Sequence, residues 1–133
     1  KYLLKTNPND IHTVLYKANM YIGDSQSMAV ESALLGTPGI RFNDFTHQIG
    51  VLNELEVKYG LTKSIAASDQ EKLYRVVNEM LKVKDLKTRH HEKLKTLLQD
   101  KINVCEFFVW YITNYPKSKR THAEQPEFQY KFK

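Results

Sequence analysis

Residues 20–38 read MYIGDSQSMAVESALLGTP, and how that stretch divides decides the fold. Met20 to Gly23 are apolar and β-prone, while Gly36 and Pro38 stop a helix cleanly. Between them come Asp24 and three small or amide side chains, Ser25, Gln26 and Ser27, then a run of helix formers with Glu31 one turn inside. The stretch therefore reads as a strand, a tight polar turn and a helix from about Ser27 to Leu35. A helix start of that kind presents free backbone N–H groups and the positive end of a dipole, which makes it a candidate seat for a phosphate.

The pattern repeats on either side. Residues 1–6 read as a short strand, and NPND is a turn whose Asn9 or Asp10 caps a helix with Ile11, Val14 and Leu15 inward. Downstream, residues 39–43, GIRFN, read as a strand with Asp44 and His47 in its exit loop. Ile49, Leu52, Leu55 and Tyr59 recur at helical spacing, and Gly60 closes that helix before the strand-like LTKSIA. Ser68 and Glu71 have the spacing of a capping box, followed by an inward stripe of Leu73, Val76, Val77, Met80 and Leu81. Residues 84–114 hold no Gly or Pro and read as one long helix that begins charged and ends in the apolar VCEFFVWYI. Residues 117–133 are basic, dotted with aromatics and without a clear period, which suggests a tail or wrapping arm.

Alternating short strands and helices imply an α/β fold: a parallel sheet with crossover helices on both faces, ending in a long helix. Ligands of such sheets sit beyond the carboxyl ends of the strands, where the strand order switches. The turn at residues 24–27 and the loop at 43–47 both lie at such ends. The organisation expected is one domain over residues 1–116 and a basic, aromatic tail over 117–133.

Composition bounds the function. The 133 residues, 41% hydrophobic and 26% charged, suit one ordinary globular domain. The net charge is +5, and residues 82–101 hold seven Lys or Arg against three acids. Such a run reads as a solvated helix face rather than a nucleic-acid site, although a basic field also draws nucleotide sugars or an anionic membrane surface, so peripheral membrane contact stays open. The single cysteine, Cys105, excludes an intrachain disulfide and fits a reducing compartment. No apolar run approaches the roughly 18 residues that span a bilayer, and no secretory signal opens the chain, so a cytoplasmic location is expected. The chain opens at Lys1 directly in the apolar KYLL, as the middle of a domain would.

Within the turn, Ser25, Gln26 and Ser27 offer backbone N–H groups and two hydroxyls to an anion. Glu31 lies four residues beyond Ser27, hence on the same helix face, where a carboxylate could accept both hydroxyls of a ribose. The plainer alternative makes Ser25 or Ser27 a helix cap and Glu31 an acid interacting with the dipole. Arg41 needs a partner if its strand is buried. His47 and Asp44 could face a sugar or a β-phosphate, or else cap a loop and pair at the surface. His90 and His91, adjacent on a helix, point about 100° apart, chelate poorly and read as solvated. His12 reads as a helix-surface residue, and Cys105 as a small core residue. No metal ligands and no catalytic residue are assigned.

The run MYIGDSQSMAVESALLGTPGIRFNDF resembles the nucleotide-sugar-binding part of the C-terminal domain of GT-B glycosyltransferases and of UDP-N-acetylglucosamine 2-epimerase, which share a fold. The segments NELEVKYGL and CEFFVWYITNYP extend the likeness to a less characterised family of glycosyltransferases in bacteria and archaea. The resemblance implies a Rossmann-like sheet, the C-terminal half of a GT-B fold. It places Ser25, Gln26 and Ser27 at the diphosphate of a UDP-type donor and Glu31 at the ribose. The epimerase pattern has two glycines where Gln26 and Ser27 stand. The uracil-binding segment and the acceptor-side base would belong to an earlier half, so this piece alone is expected to be inactive. No cofactor is implied, the UDP-sugar being substrate. The stripe Phe107, Phe108, Trp110 and Tyr111 resembles the closing helix of that architecture, and its expected cover is the N-terminal domain or another copy of the chain. The alternatives are a UDP-sugar 2-epimerase and a non-catalytic binding or assembly module that recruits a partner through residues 117–133.

Overall fold

The computed structural model describes residues 3–45 and 49–133. The chain forms two compact units, Lys1–Leu94 and Lys95–Lys133.

The first unit is built on a sheet of three parallel strands in the order β1 (Tyr21–Gly23), β2 (Gly39–Phe42), β3 (Thr62–Ile65). Ile22 pairs with Ile40, and Ile40 with Lys63. The chain is α/β, as the alternation implies. The first helix, α1 (Ile11–Lys17), follows a 3-10 turn, Pro8–Asp10. Asn7 caps that turn, its side chain accepting from the Asn9 N–H. The strand expected over residues 1–6 does not form in its described part, residues 3–6. Leu3 and Leu4 are exposed there and bury nothing that would hold a strand.

Helices cover both faces of the sheet, and the strand period shows which covers which. Gly39 and Arg41 face α2 (Gln26–Leu34): a Cβ at Gly39 would stand 2.8 Å from Ser32 Oγ, so only glycine lets helix and strand approach this closely. Ala29, Ser32 and Ala33 are the small residues that α2 turns inward, all fully buried. Ile40 and Ile65 point the other way, into a core with Met80 of α4 (Gln70–Leu81), joined by Met20, Phe42, Leu73, Val76, Val77 and Leu86. Of the stripe read from the sequence, Leu81 alone falls outside this core and is exposed.

Between β2 and β3 lie a short α3 (Gly50–Asn53) and a π-helical segment, Glu54–Lys58, in place of one continuous α-helix. Leu52, Leu55 and Tyr59 are buried as their spacing implies. The wider turn leaves Glu56 positioned so that its Oε1 accepts the Ser64 N–H of β3 at 3.0 Å. The cap of α4 is Asp69, whose carboxylate accepts the Lys72 N–H at 2.9 Å, rather than Ser68.

The long helical stretch is divided. α5 (Leu86–Asp100) ends before Asn103, and α6 (Val104–Thr113) begins after it. Asn103 is an N-cap: its Oδ1 accepts from the Glu106 N–H and its Nδ2 donates to Glu106 Oε1. That reciprocal cap starts a new helix where the absence of Gly and Pro suggested none.

In the second unit, residues 117–133, read as a tail or wrapping arm, are largely helical. α7 (Lys117–Glu124) and a 3-10 helix (Pro126–Phe132) fold over α6. Phe128 stacks on Trp110 with centroids 4.6 Å apart, and Phe107 meets Phe132 and His122 edge-on. Three of the four aromatics expected to need a partner, Phe107, Trp110 and Tyr111, are thus half-buried by the chain's own end, while Phe108 stays exposed. Among the described residues no helix is long and apolar enough to cross a membrane.

Candidate functional site

The turn between β1 and α2 is braced from two sides. Asn43, at the exit of β2, donates from Nδ2 to the Asp24 carbonyl at 2.8 Å, and its Oδ1 accepts the Phe45 N–H. Tyr21 curls back over its own strand so that its hydroxyl donates to the Ser25 carbonyl at 3.3 Å. Gly23 makes room for that ring, since a Cβ there would lie 2.3 Å from the phenol oxygen. Burial, reinforced by the nearby Asp24 charge, pushes the Tyr21 phenol above its ordinary value, so it stays a neutral donor. Neither brace was singled out from the sequence. An aromatic two residues before a strand-ending glycine, and an Asn just past the next parallel strand, are the signals that could have found them.

Ser25 is the N-cap of α2. Its Oγ accepts the Met28 N–H at 3.3 Å and lies 3.2 Å from the exposed Ser27 Oγ. The N–H groups of Gln26 and Ser27 precede the first intrahelical bond and have no protein partner among the described residues. Two hydroxyls and two unpaired amides therefore converge at the positive end of the helix, beyond the carboxyl end of β1.

Glu31 stands one turn further along, half-exposed. Its carboxylate is engaged from the side, 3.4 Å from His12 Nε2 of α1. His12, read as a plain surface residue, is thus the carboxylate's neighbour. The structure puts Ser25, Gln26 and Ser27 at the N-terminal end of α2 and Glu31 about a turn further along the helix. His47 lies outside the described residues. Asp44 accepts the Ala67 N–H through Oδ1 at 3.3 Å, tying the loop after β2 to the loop after β3.

Arg41 does not reach this turn as a free cation. It is 1% exposed, with Nη2 donating to Ser64 Oγ at 2.8 Å and with Nε and Nη1 unpartnered among the described residues. Burial lowers its pKa from the ordinary value, and the Glu56 carboxylate opposes that shift. Its role is internal, a charge held under the sheet.

Two further expectations are corrected. His90 is 5% exposed, not solvated, because its ring lies against the end of the sheet with Nδ1 3.0 Å from the Leu86 carbonyl. Cys105 is exposed rather than a core residue, since α6 turns Phe107, Trp110 and Tyr111 inward instead.

Comparison with protein-family models, with curated proteins and with solved structures finds no match.

Proposed function

We propose that the chain is the donor-binding part of a glycosyltransferase that uses a UDP-type nucleotide sugar, its three-stranded parallel sheet belonging to the Rossmann-like C-terminal half of a GT-B fold. One observation carries the reading: the unpaired Gln26 and Ser27 amides and the paired Ser25 and Ser27 hydroxyls at the tip of α2, with the Glu31 carboxylate a turn away. A diphosphate at that tip would receive the amides and the dipole, and a ribose beyond it would donate its hydroxyls to Glu31. No metal is required by this arrangement, because the helix end stabilises the charge of the departing diphosphate.

The test separates binding from folding. Titration of UDP into the protein, extended to the full-length chain where more chain exists, should move the amide resonances of Ser25, Gln26, Ser27 and Glu31. Ser27→Asp should strengthen the free helix by about 0.3–1 kcal/mol through its dipole while repelling the diphosphate. Unmoved amides, or UDP affinity unchanged by Ser27→Asp, would remove the assignment. Formation of a UDP-sugar epimer, in place of free UDP and an elongated acceptor, would favour the 2-epimerase.

A further inference from the structure

A cavity of about 350 Å³ opens at the opposite end of the sheet, where β2 and β3 begin at Gly39 and Thr62. That volume is at the lower end of the range of about 300–1,000 Å³ in which proteins hold small molecules. Lys63, Arg89, His90 and Lys93 line it, with Glu79 as the carboxylate among the lining residues. Neither Lys63 nor Arg89 has an ion-pair partner among the described residues. The floor between them is apolar, made by Met80, Val83 and Leu86.

The rim is fixed in place. Lys93 Nζ donates to the Gly60 carbonyl at 2.8 Å, and Gly60 holds φ +61, a conformation that L side chains rarely adopt.

We infer that this cavity is a binding site for a small organic anion, its phosphate or carboxylate head held by Lys63 and Arg89 and its apolar body resting on Met80, Val83 and Leu86. The inference is independent of the nucleotide-sugar reading, since the two sites lie at opposite ends of the strands. Burial and the Lys63 charge depress the Lys93 pKa, so an anion arriving here relieves repulsion already present in the free protein.

The experiment titrates the intact chain, followed by amide resonances and calorimetry, with phenyl phosphate, benzoate, inorganic phosphate and benzyl alcohol. Phenyl phosphate or benzoate should move the amides of Gly60, Thr62, Lys63 and His90 while leaving Ser25 to Ser27 in place, and whichever binds tighter names the head group. Benzyl alcohol and inorganic phosphate should each bind at least about tenfold more weakly, lacking the charge or the body. Lys63→Ala combined with Arg89→Ala, both at exposed positions, should lower affinity about tenfold or more without moving the melting temperature. The inference fails if neither organic anion moves those amides, if benzyl alcohol or inorganic phosphate binds as tightly, or if affinity survives the lysine and arginine substitutions unchanged.

Discussion

Arg41 brings a full charge into the sheet with, among the described residues, one of its nitrogens hydrogen-bonded to a partner, Ser64. Removing that partner should be worse than removing the charge. Ser64→Ala strands Nη2 as well and should cost about 1–3 kcal/mol, whereas Arg41→Met keeps the length, discards the desolvated charge and should cost less or stabilise. Urea midpoints of the two variants decide it, and a neutral Ser64→Ala would show that the pair does not matter. His90 gives the pH counterpart. Burial first, then the charges of Lys93, His91 and Lys63, holds it below its ordinary 6.5, against a smaller upward pull from the Leu86 carbonyl. Glu79 and Arg89 line the same cavity. The unfolded chain therefore takes up a proton as pH falls through about 6.5, while the folded chain does so only lower down. Stability should fall across that window and level off beneath the folded value. Urea midpoints at pH 7 and pH 5.5 should differ less in His90→Asn than in the parent, and an equal difference would mean His90 is not the titrating group. At this scale the sequence was informative where chemistry is local: the turn, the Ser25 cap and the placing of Glu31 beside it follow from spacing along one helix. His90 and Cys105 were misread because their burial depends on which face of α5 or α6 turns inward, and mixed apolar and charged runs leave that undecided.

Helix starts show how far neighbouring residues determine an element. Ser68 and Glu71 satisfy the capping-box spacing, yet Asp69 caps α4, one residue later and with a carboxylate that the helix dipole favours. Asp69→Ala should cost about 1 kcal/mol and Ser68→Ala close to nothing, read from thermal unfolding. The reverse order would restore the capping box. The same logic explains the break at Asn103. Composition alone permits a continuous helix, but the side chain of Asn103 accepts one of the first N–H groups of α6, that of Glu106, and makes a second start cheaper than continuation. The π-helical segment at Glu54–Lys58 was illegible for a different reason. Apolar spacing over residues 49–59 marks a buried stripe, and one wider turn shifts that stripe too little to alter the pattern. Its effect is visible only across the fold, where Glu56 meets the Ser64 N–H.

The parallel α/β architecture of the first unit was legible because each strand and each crossover helix carries its own local signal, and parallel pairing follows from the alternation. The order β1-β2-β3 was not, and it matters: the described strands run in sequence without the reversal at which a ligand crevice was expected. Residues 117–133 were the furthest from legible. Their apolar side chains, Phe128 and Phe132, follow no helical period of their own, and only the aromatic face of α6, where both meet Trp110, gives their placing a purpose. The second unit is thus closed by aromatic contacts among its own elements. Trp110 is the chain's single tryptophan, so its emission reports on those contacts directly. The Phe128→Ala variant should lose about 0.5–1.5 kcal/mol of ring pairing beyond the buried area, and should shift Trp110 emission to the red as water reaches the indole. A chain ending at residue 116 should go further and bind a hydrophobic dye, because Phe107, Trp110 and Tyr111 would join Phe108, Val109 and Ile112 as one exposed apolar surface. Unshifted emission in both variants would mean that α7 and the closing 3-10 helix do not cover α6 in solution.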